Sequence, residues 1–172
     1  MRIVVSDSSC LIDLRKATLL NLLLRLPYEF LIPNTLFEEE LLKFTVAEKR
    51  ALIRGGLKVM DLPGKTVLRA QEVVRKFPQL SVHDGFAFAL AESYPDCILL
   101  TGDNALRTLA NRHSIQVHGV LWVLDEIYSN RLTTVATLLS ALRVFSADPT
   151  VRLPSREVAA ATKRYEGMKR AE

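Results

Sequence analysis

The sequence predicts a three-layer α/β/α fold, with a mostly parallel five-stranded sheet, helices on both faces and extra helices at the C-terminal end. Three observations carry that prediction. Short apolar runs alternate along the chain with longer stretches of helical spacing, the pattern of parallel strands joined by helices. The runs, such as Ile3-Val4-Val5 and Cys97-Ile98-Leu99-Leu100, have no polar break, as strands buried on both faces require. The 172 residues are 49% hydrophobic and 24% charged, which excludes disorder over most of the chain and suits one domain.

The elements follow in order. Residues 3–5 form the first strand, and 8–26 continue with helical spacing. Residues 29–32 form the second strand, stopped by Pro33. Residues 34–44 and 46–54 are helical, the latter closed by Gly55-Gly56. A third strand covers 57–60 and a helix 65–77. Ser81 caps the next helix, in which Phe86, Ala89 and Leu90 make an i, i+3, i+4 apolar stripe. Residues 97–100 are the fourth strand, 104–112 a helix and 115–117 the fifth strand. Helices then span 119 to about 128 and 132–145, and a last one begins after Pro154. Ala147-Asp148-Pro149 is the one break in the pattern. Residues 1–146 therefore read as the main domain and 147–172 as a helical extension of it.

Composition narrows the function classes. The most apolar stretch, LLNLLLRL at 19–26, is interrupted by Asn21 and Arg25 and falls short of the ~20 residues of a membrane span. The opening MRIVVSDSSC lacks a secretory apolar core. Cys10 and Cys97 show neither CxxC nor metal-ligand spacing, so two buried thiols in a cytoplasmic protein without membrane association are expected. The net charge of +4 is uneven: seven basic residues face three acidic ones between positions 40 and 70, and seven face four from Arg143 to the end. Such stretches suit either a polyanion or ordinary solvated helix faces.

In an open parallel sheet, ligands bind outside the carboxyl ends of the strands. Asp7 follows the first strand and Asp103 the fourth, while Asp84 lies in the first turn of the helix carrying Phe86 and Glu39 in the helix after Pro33. Each also has a purely structural reading. Asp7 and Asp103 are N-cap residue types, Asp84 has the capping-box spacing from Ser81, and Glu39 belongs to the run Glu38-Glu39-Glu40. Convergence is what favours a site. Carboxylates gathered at one edge repel one another and stay ionised only beside a cation, and an all-oxygen set suits Mg²⁺ or Mn²⁺.

The stretches VVSDSSCLIDL at 4–14, IPNTLFEEELL at 32–42, LSVHDGFAFALA at 80–91, ILLTGDNALRTLA at 98–110 and GVLWVLDEI at 119–127 together resemble the PIN domain family. Within it the likeness is to VapC-like toxins and stand-alone prokaryotic PIN proteins, over about residues 2–145. The resemblance implies a Mg²⁺- or Mn²⁺-dependent ribonuclease. Asp7, Glu39, Asp84 and Asp103 match its catalytic acids, with Glu38 as the alternative to Glu39; Asp7, Asp84 and Asp103 would be metal ligands. Ser8 and Thr101 match the hydroxyls kept near the metal. It further implies an RNA substrate, a cognate antitoxin if the protein is a toxin, and a homodimer. Two departures stand out. Gly85 occupies a position where the family commonly has Ala, and Asn104-Ala105-Leu106 leaves no fifth acid after Asp103.

The chemistry makes sense of that set, since hydrolysing a phosphodiester calls for an activated water and shielding of charge at phosphorus, both within reach of divalent ions. Arg107, one turn beyond Asp103, is a candidate phosphate contact, or simply an exposed helix residue. His83, His113 and His118 read as structural, and Trp122 as core or self-association surface before base-stacking platform. Two alternatives remain. One is a catalytically silent PIN-like scaffold that binds RNA or protein. The other is a haloacid-dehalogenase-like phosphatase, which Thr101-Gly102-Asp103 resembles but which wants D-x-D where this chain has Asp7-Ser8-Ser9.

Overall fold

In the computed structural model, which covers residues 1–172, apolar side chains on five short strands build a single sheet. The strands are β1 (Arg2–Ser6), β2 (Tyr28–Pro33), β3 (Lys58–Met60), β4 (Ile98–Leu100) and β5 (Gln116–His118). All pairings are parallel, in the order β3-β2-β1-β4-β5. The apolar parts of β1, β2 and β4 are covered on both faces: Val4, Val5, Phe30, Leu31, Ile32 and all of Ile98–Leu100 are buried.

Ten helices connect and cover the strands: α1 (Ser8–Lys16), α2 (Leu20–Leu23), α3 (Asn34–Glu39), α4 (Val46–Arg54), α5 (Gly64–Lys76), α6 (Val82–Glu92), α7 (Asn104–Arg112), α8 (Val120–Ser129), α9 (Val135–Ala147) and α10 (Ser155–Ala171). α6 packs across β1, β2 and β4, and α1, α2 and α8 pack together on the opposite face, giving the three layers. One cluster of 45 buried residues takes in both Val4 of β1 and Val158, Ala161 and Tyr165 of α10, so the last helix closes over the same core as the sheet.

Where the elements differ from the sequence reading, the causes are local. The helical spacing over 8–26 breaks because Thr18 adopts φ 57°, with its N–H on the Arg15 carbonyl and that of Leu19 on the Leu14 carbonyl. That is a helix-ending arrangement normally given to Gly. The helix expected over 34–44 stops at Glu39. The one expected over 132–145 starts at Val135, because Thr134 Oγ1 accepts the Thr137 N–H and caps it there.

The topology fixes where a site can form. From β1 the chain winds outward through β2 and β3, then returns to lay β4 and β5 on the other side of β1. The reversal opens a crevice at the carboxyl ends of β1 and β4, the switch point at which open α/β sheets bind ligands. Asp7 and Asp103 leave the sheet there.

Candidate active site

Asp7 extends β1 by one rung, its N–H donating to the Leu100 carbonyl at 2.8 Å. It stands at the N-cap of α1, yet its side chain accepts no capping hydrogen bond. The carboxylate turns instead across the crevice. Oδ2 accepts from Thr101 Oγ1 at 2.8 Å and from Ser9 Oγ at 3.1 Å, while Ser8 Oγ lies 3.5 Å from Oδ1. The residue is only 5% exposed. Burial pushes its pKa up, the nearby Glu40 charge adds to this, and the hydroxyls of Thr101 and Ser9 oppose it. A buried carboxylate that neither caps its helix nor meets a basic partner is not explained by folding alone.

Thr101, fully buried, ties two acids together: its hydroxyl donates to Asp7 and accepts the Asp103 N–H at 3.1 Å. Asp103 in turn caps α7, with Oδ1 accepting from the Leu106 N–H at 2.7 Å. Asp84 closes a capping box on α6, Oδ2 accepting the Ser81 N–H at 2.8 Å while the Asp84 N–H reaches Ser81 Oγ at 3.0 Å. The capping readings of Asp84 and Asp103 thus describe real bonds, but each occupies one carboxylate oxygen and leaves Asp84 Oδ1 and Asp103 Oδ2 unbonded. Burial raises the Asp84 pKa, and the charges of Asp7 and Asp103 raise it further, so the three aspartates share one electrostatic environment.

Of the three acids after β2, the one bonded beside Asp7 is Glu40, which follows α3. Glu39 is 62% exposed at its side chain and pairs with His83, whose Nε2 lies 2.6 Å from Oε2; Glu38 is 69% exposed beside Lys49. The side chain that reaches the aspartates is Glu40, 31% exposed, whose Oε1 accepts from Ser8 Oγ at 2.8 Å. α3 ends at Glu39, and the residue just past the last turn is the one directed toward Asp7. Ser9 was also missed. It donates to Asp7 and accepts the Gly102 N–H at 3.3 Å, a position visible in sequence only as the second serine after Asp7.

The remaining candidates separate cleanly. Arg107 Nη2 donates to the Thr101 carbonyl at 3.4 Å, beside the crevice. His113 sits edge-on to Phe88 and hydrogen-bonds the Leu109 carbonyl through Nδ1. His118 lies flat on Trp122, ring centres 4.4 Å apart. Cys10 and Cys97 are buried, unpaired and pushed up in pKa by burial, which keeps them protonated and inert.

Asp7, Asp84 and Asp103 form no ion pair, and Glu40 has the His83 ring beside it, Nδ1 at 3.8 Å. An oxygen-only set lacking a basic counter-charge fits a hard divalent cation. As placed, however, no three Asp, Glu, His or Cys side chains are close enough together to hold one ion.

The all-parallel sheet and the carboxylates at its switch point have a counterpart in known families. Residues 3–166 match the family model described as a PIN domain. The chain belongs to the PIN-domain family. PIN domains are generally nucleases, so this chain carries a nuclease-type hydrolase fold, and members typically use divalent metal ions and bind RNA. The comparison with curated proteins gives no match. In this PIN domain no helix is long and apolar enough to cross a membrane.

Proposed function

We propose that this PIN domain is a Mg²⁺- or Mn²⁺-dependent endoribonuclease that hydrolyses RNA at Asp7, Glu40, Asp84 and Asp103. The observation that carries the reading is Asp7: buried, raised in pKa, bonded through Thr101 to the Asp103 backbone and without a basic neighbour. Asp7, Asp84 and Asp103 would hold the ion through the oxygens their capping and hydroxyl bonds leave free, once those side chains turn closer together than they stand in the ion's absence. When bound, one or two such ions supply an activated water and compensate charge at phosphorus. Thr101 and Ser9 hold the Asp7 carboxylate in one orientation, and Ser8 does the same for Glu40. Glu40, in the role the sequence suggested for Glu39, orients the attacking water. Thr101 is a positioning residue, acting through Asp7.

The finer proposal follows the resemblance: a VapC-like toxin, active in the cytoplasm as a homodimer and restrained by a cognate antitoxin. Exposed apolar surface near the site supports it. Leu42, Val46 and Ile53, on the segment that follows Glu40, are 78%, 66% and 51% exposed, apolar surface of the kind a protein partner covers.

The deciding experiment is RNA cleavage with Mg²⁺, Mn²⁺ or EDTA. The wild type cuts only with metal, Asp7→Asn and Glu40→Gln lose cleavage while still folded, and Glu39→Gln keeps it. Metal-dependent cutting by folded Asp7→Asn protein would refute the site. Binding of mixed RNA without cutting in Mn²⁺ would return the silent-scaffold reading.

A further inference from the structure

Beside the carboxylates lies a cleft that the hydrolytic reading does not use. It has a volume of about 370 Å³ and opens between the N-terminal ends of α7 and α8 and the segment leading into α10, lined among others by Arg107, His118, Trp122, Arg152 and Glu157. A second depression, of about 270 Å³, shares Gly102, Val120, Arg152 and Leu153 with it and reaches Asp103 and Ser9. The two depressions share a wall, so the surface beside Asp103 adjoins one that carries both arginines.

Those arginines are chemically available. Arg107 is anchored by a single bond to the Thr101 carbonyl and lies against Gly119, where an added Cβ would come 3.4 Å from its Nη2. Arg152 is exposed. Neither forms an ion pair. Glu157 is the one acid on the cleft wall, so the lining stays net positive. A guanidinium offers paired donors that match a phosphate. The aromatic side chains offer less. His118 covers one face of the Trp122 indole at an interplanar angle of 8°, and Tyr28 packs tilted against the same ring, 5.5 Å away. That favours binding of backbone over stacking of bases.

We propose that this cleft is a phosphate subsite in which Arg107 and Arg152 together take a backbone phosphate of the RNA strand next to the one cleaved. The inference rests on the ribonuclease reading above and extends it. It gives the segment between α9 and α10 a part in substrate binding, and it makes that part of recognition independent of base sequence.

The test is binding of a fluorescein-labelled single-stranded RNA of about 12 nucleotides, followed by anisotropy in EDTA over a salt series. Arg107→Ala/Arg152→Ala weakens binding about tenfold or more, and each single substitution flattens the log–log salt slope by about 0.7 to 1. Arg152→Lys keeps the charge and with it the salt slope but binds more weakly than the wild type, and Arg54→Ala, on exposed α4, changes neither quantity. Should Arg107→Ala fail to fold, Arg152→Glu, at an exposed residue without side-chain bonds, carries the test alone and weakens binding further than Arg152→Ala. Wild-type affinity and slope in the double variant, or in folded Arg152→Glu, would overturn the subsite and leave the cleft to another anionic partner. The two readings fail separately. A wild type that binds through these arginines but never cuts in Mg²⁺ or Mn²⁺ removes the nuclease and keeps the subsite; one that cuts, with KM unchanged in the double variant, does the reverse.

Discussion

Replacing Gly85 by Ala sets two physical effects against each other. Helix propensity alone favours the change by about 1 kcal/mol, since Gly is the costlier residue in a helix interior. The packing of α6 on α5 opposes it. A Cβ at Gly85 would come 2.6 Å from Val74 Cγ2 and 3.0 Å from the Ala70 carbonyl oxygen, whereas comfortable carbon contacts need roughly 3.5–4.0 Å. Val74 is β-branched in a helix, so turning its side chain away costs rotamer energy, and the Ala70 carbonyl is held by the α5 backbone. Overpacking of this kind costs about 1–3 kcal/mol, and two contacts this short place it in the upper part of that range, at about 2–3 kcal/mol. The net expectation is a loss of about 1–2 kcal/mol, or roughly 2–8 °C in Tm at about 2–4 °C per kcal/mol for a domain of this size. Circular-dichroism melts, paired with urea denaturation at 25 °C, measure both quantities. The double variant Val74→Ala/Gly85→Ala removes the nearer clash, so its loss is smaller than the sum of the two single losses by about 1 kcal/mol. Cleavage falls as well, because Asp84 adjoins the strained turn. A Gly85→Ala protein that melts at or above the wild-type temperature would show that α5 and α6 are not held this closely.

Asp7 is predicted to cost stability when no metal is bound. Its native pKa is raised above the ordinary 3.8, so the cost is absent below that value and grows as pH rises through the raised native value. In EDTA, Asp7→Asn therefore melts above the wild type at pH 7, and the difference shrinks as the pH is lowered toward 4. A gap that widens on acidification would contradict the burial of Asp7. Mg²⁺ raises the wild-type Tm and not that of Asp7→Asn; about 2.7 kcal/mol is expected at a hundredfold excess over Kd. Thr101→Val removes the donor to Asp7 and the acceptor for the Asp103 N–H, and urea denaturation should show a loss of about 1.5–3 kcal/mol. Thr101→Ser keeps the hydroxyl, so its cleavage recovers toward wild type while that of the Val variant does not.

Much of this could be read from residue order. Apolar runs without polar breaks marked β1, β2 and β4, because strands covered on both faces admit no polar side chain. Ser81 and Asp84 announced their capping box by spacing, since both bonds are made within four residues. Asp7 and Asp103 were placed at one rim because each leaves a strand at its carboxyl end. The choice among Glu38, Glu39 and Glu40 lay beyond such reasoning. Three consecutive acids point in three directions, and the one that faces Asp7 depends on where α3 stops and on a bond to a residue 32 positions earlier, Ser8 Oγ on Glu40 Oε1. Thr18 hid in the same way, a left-handed residue in a run with unbroken helical spacing.

The sequence by itself determined the alternation of strands and helices, the buried faces and the two aspartates that end β1 and β4, because these follow from periodicity and from bonds between near neighbours. Only the tertiary structure decided that Glu40 joins them, that Thr101 and Ser9 hold Asp7, and that Arg152 comes to lie across a cleft from Arg107. Apart from Ser9, which is two residues from Asp7, those meetings join residues 32 to 94 positions apart, and nothing within a single helix or strand dictates them.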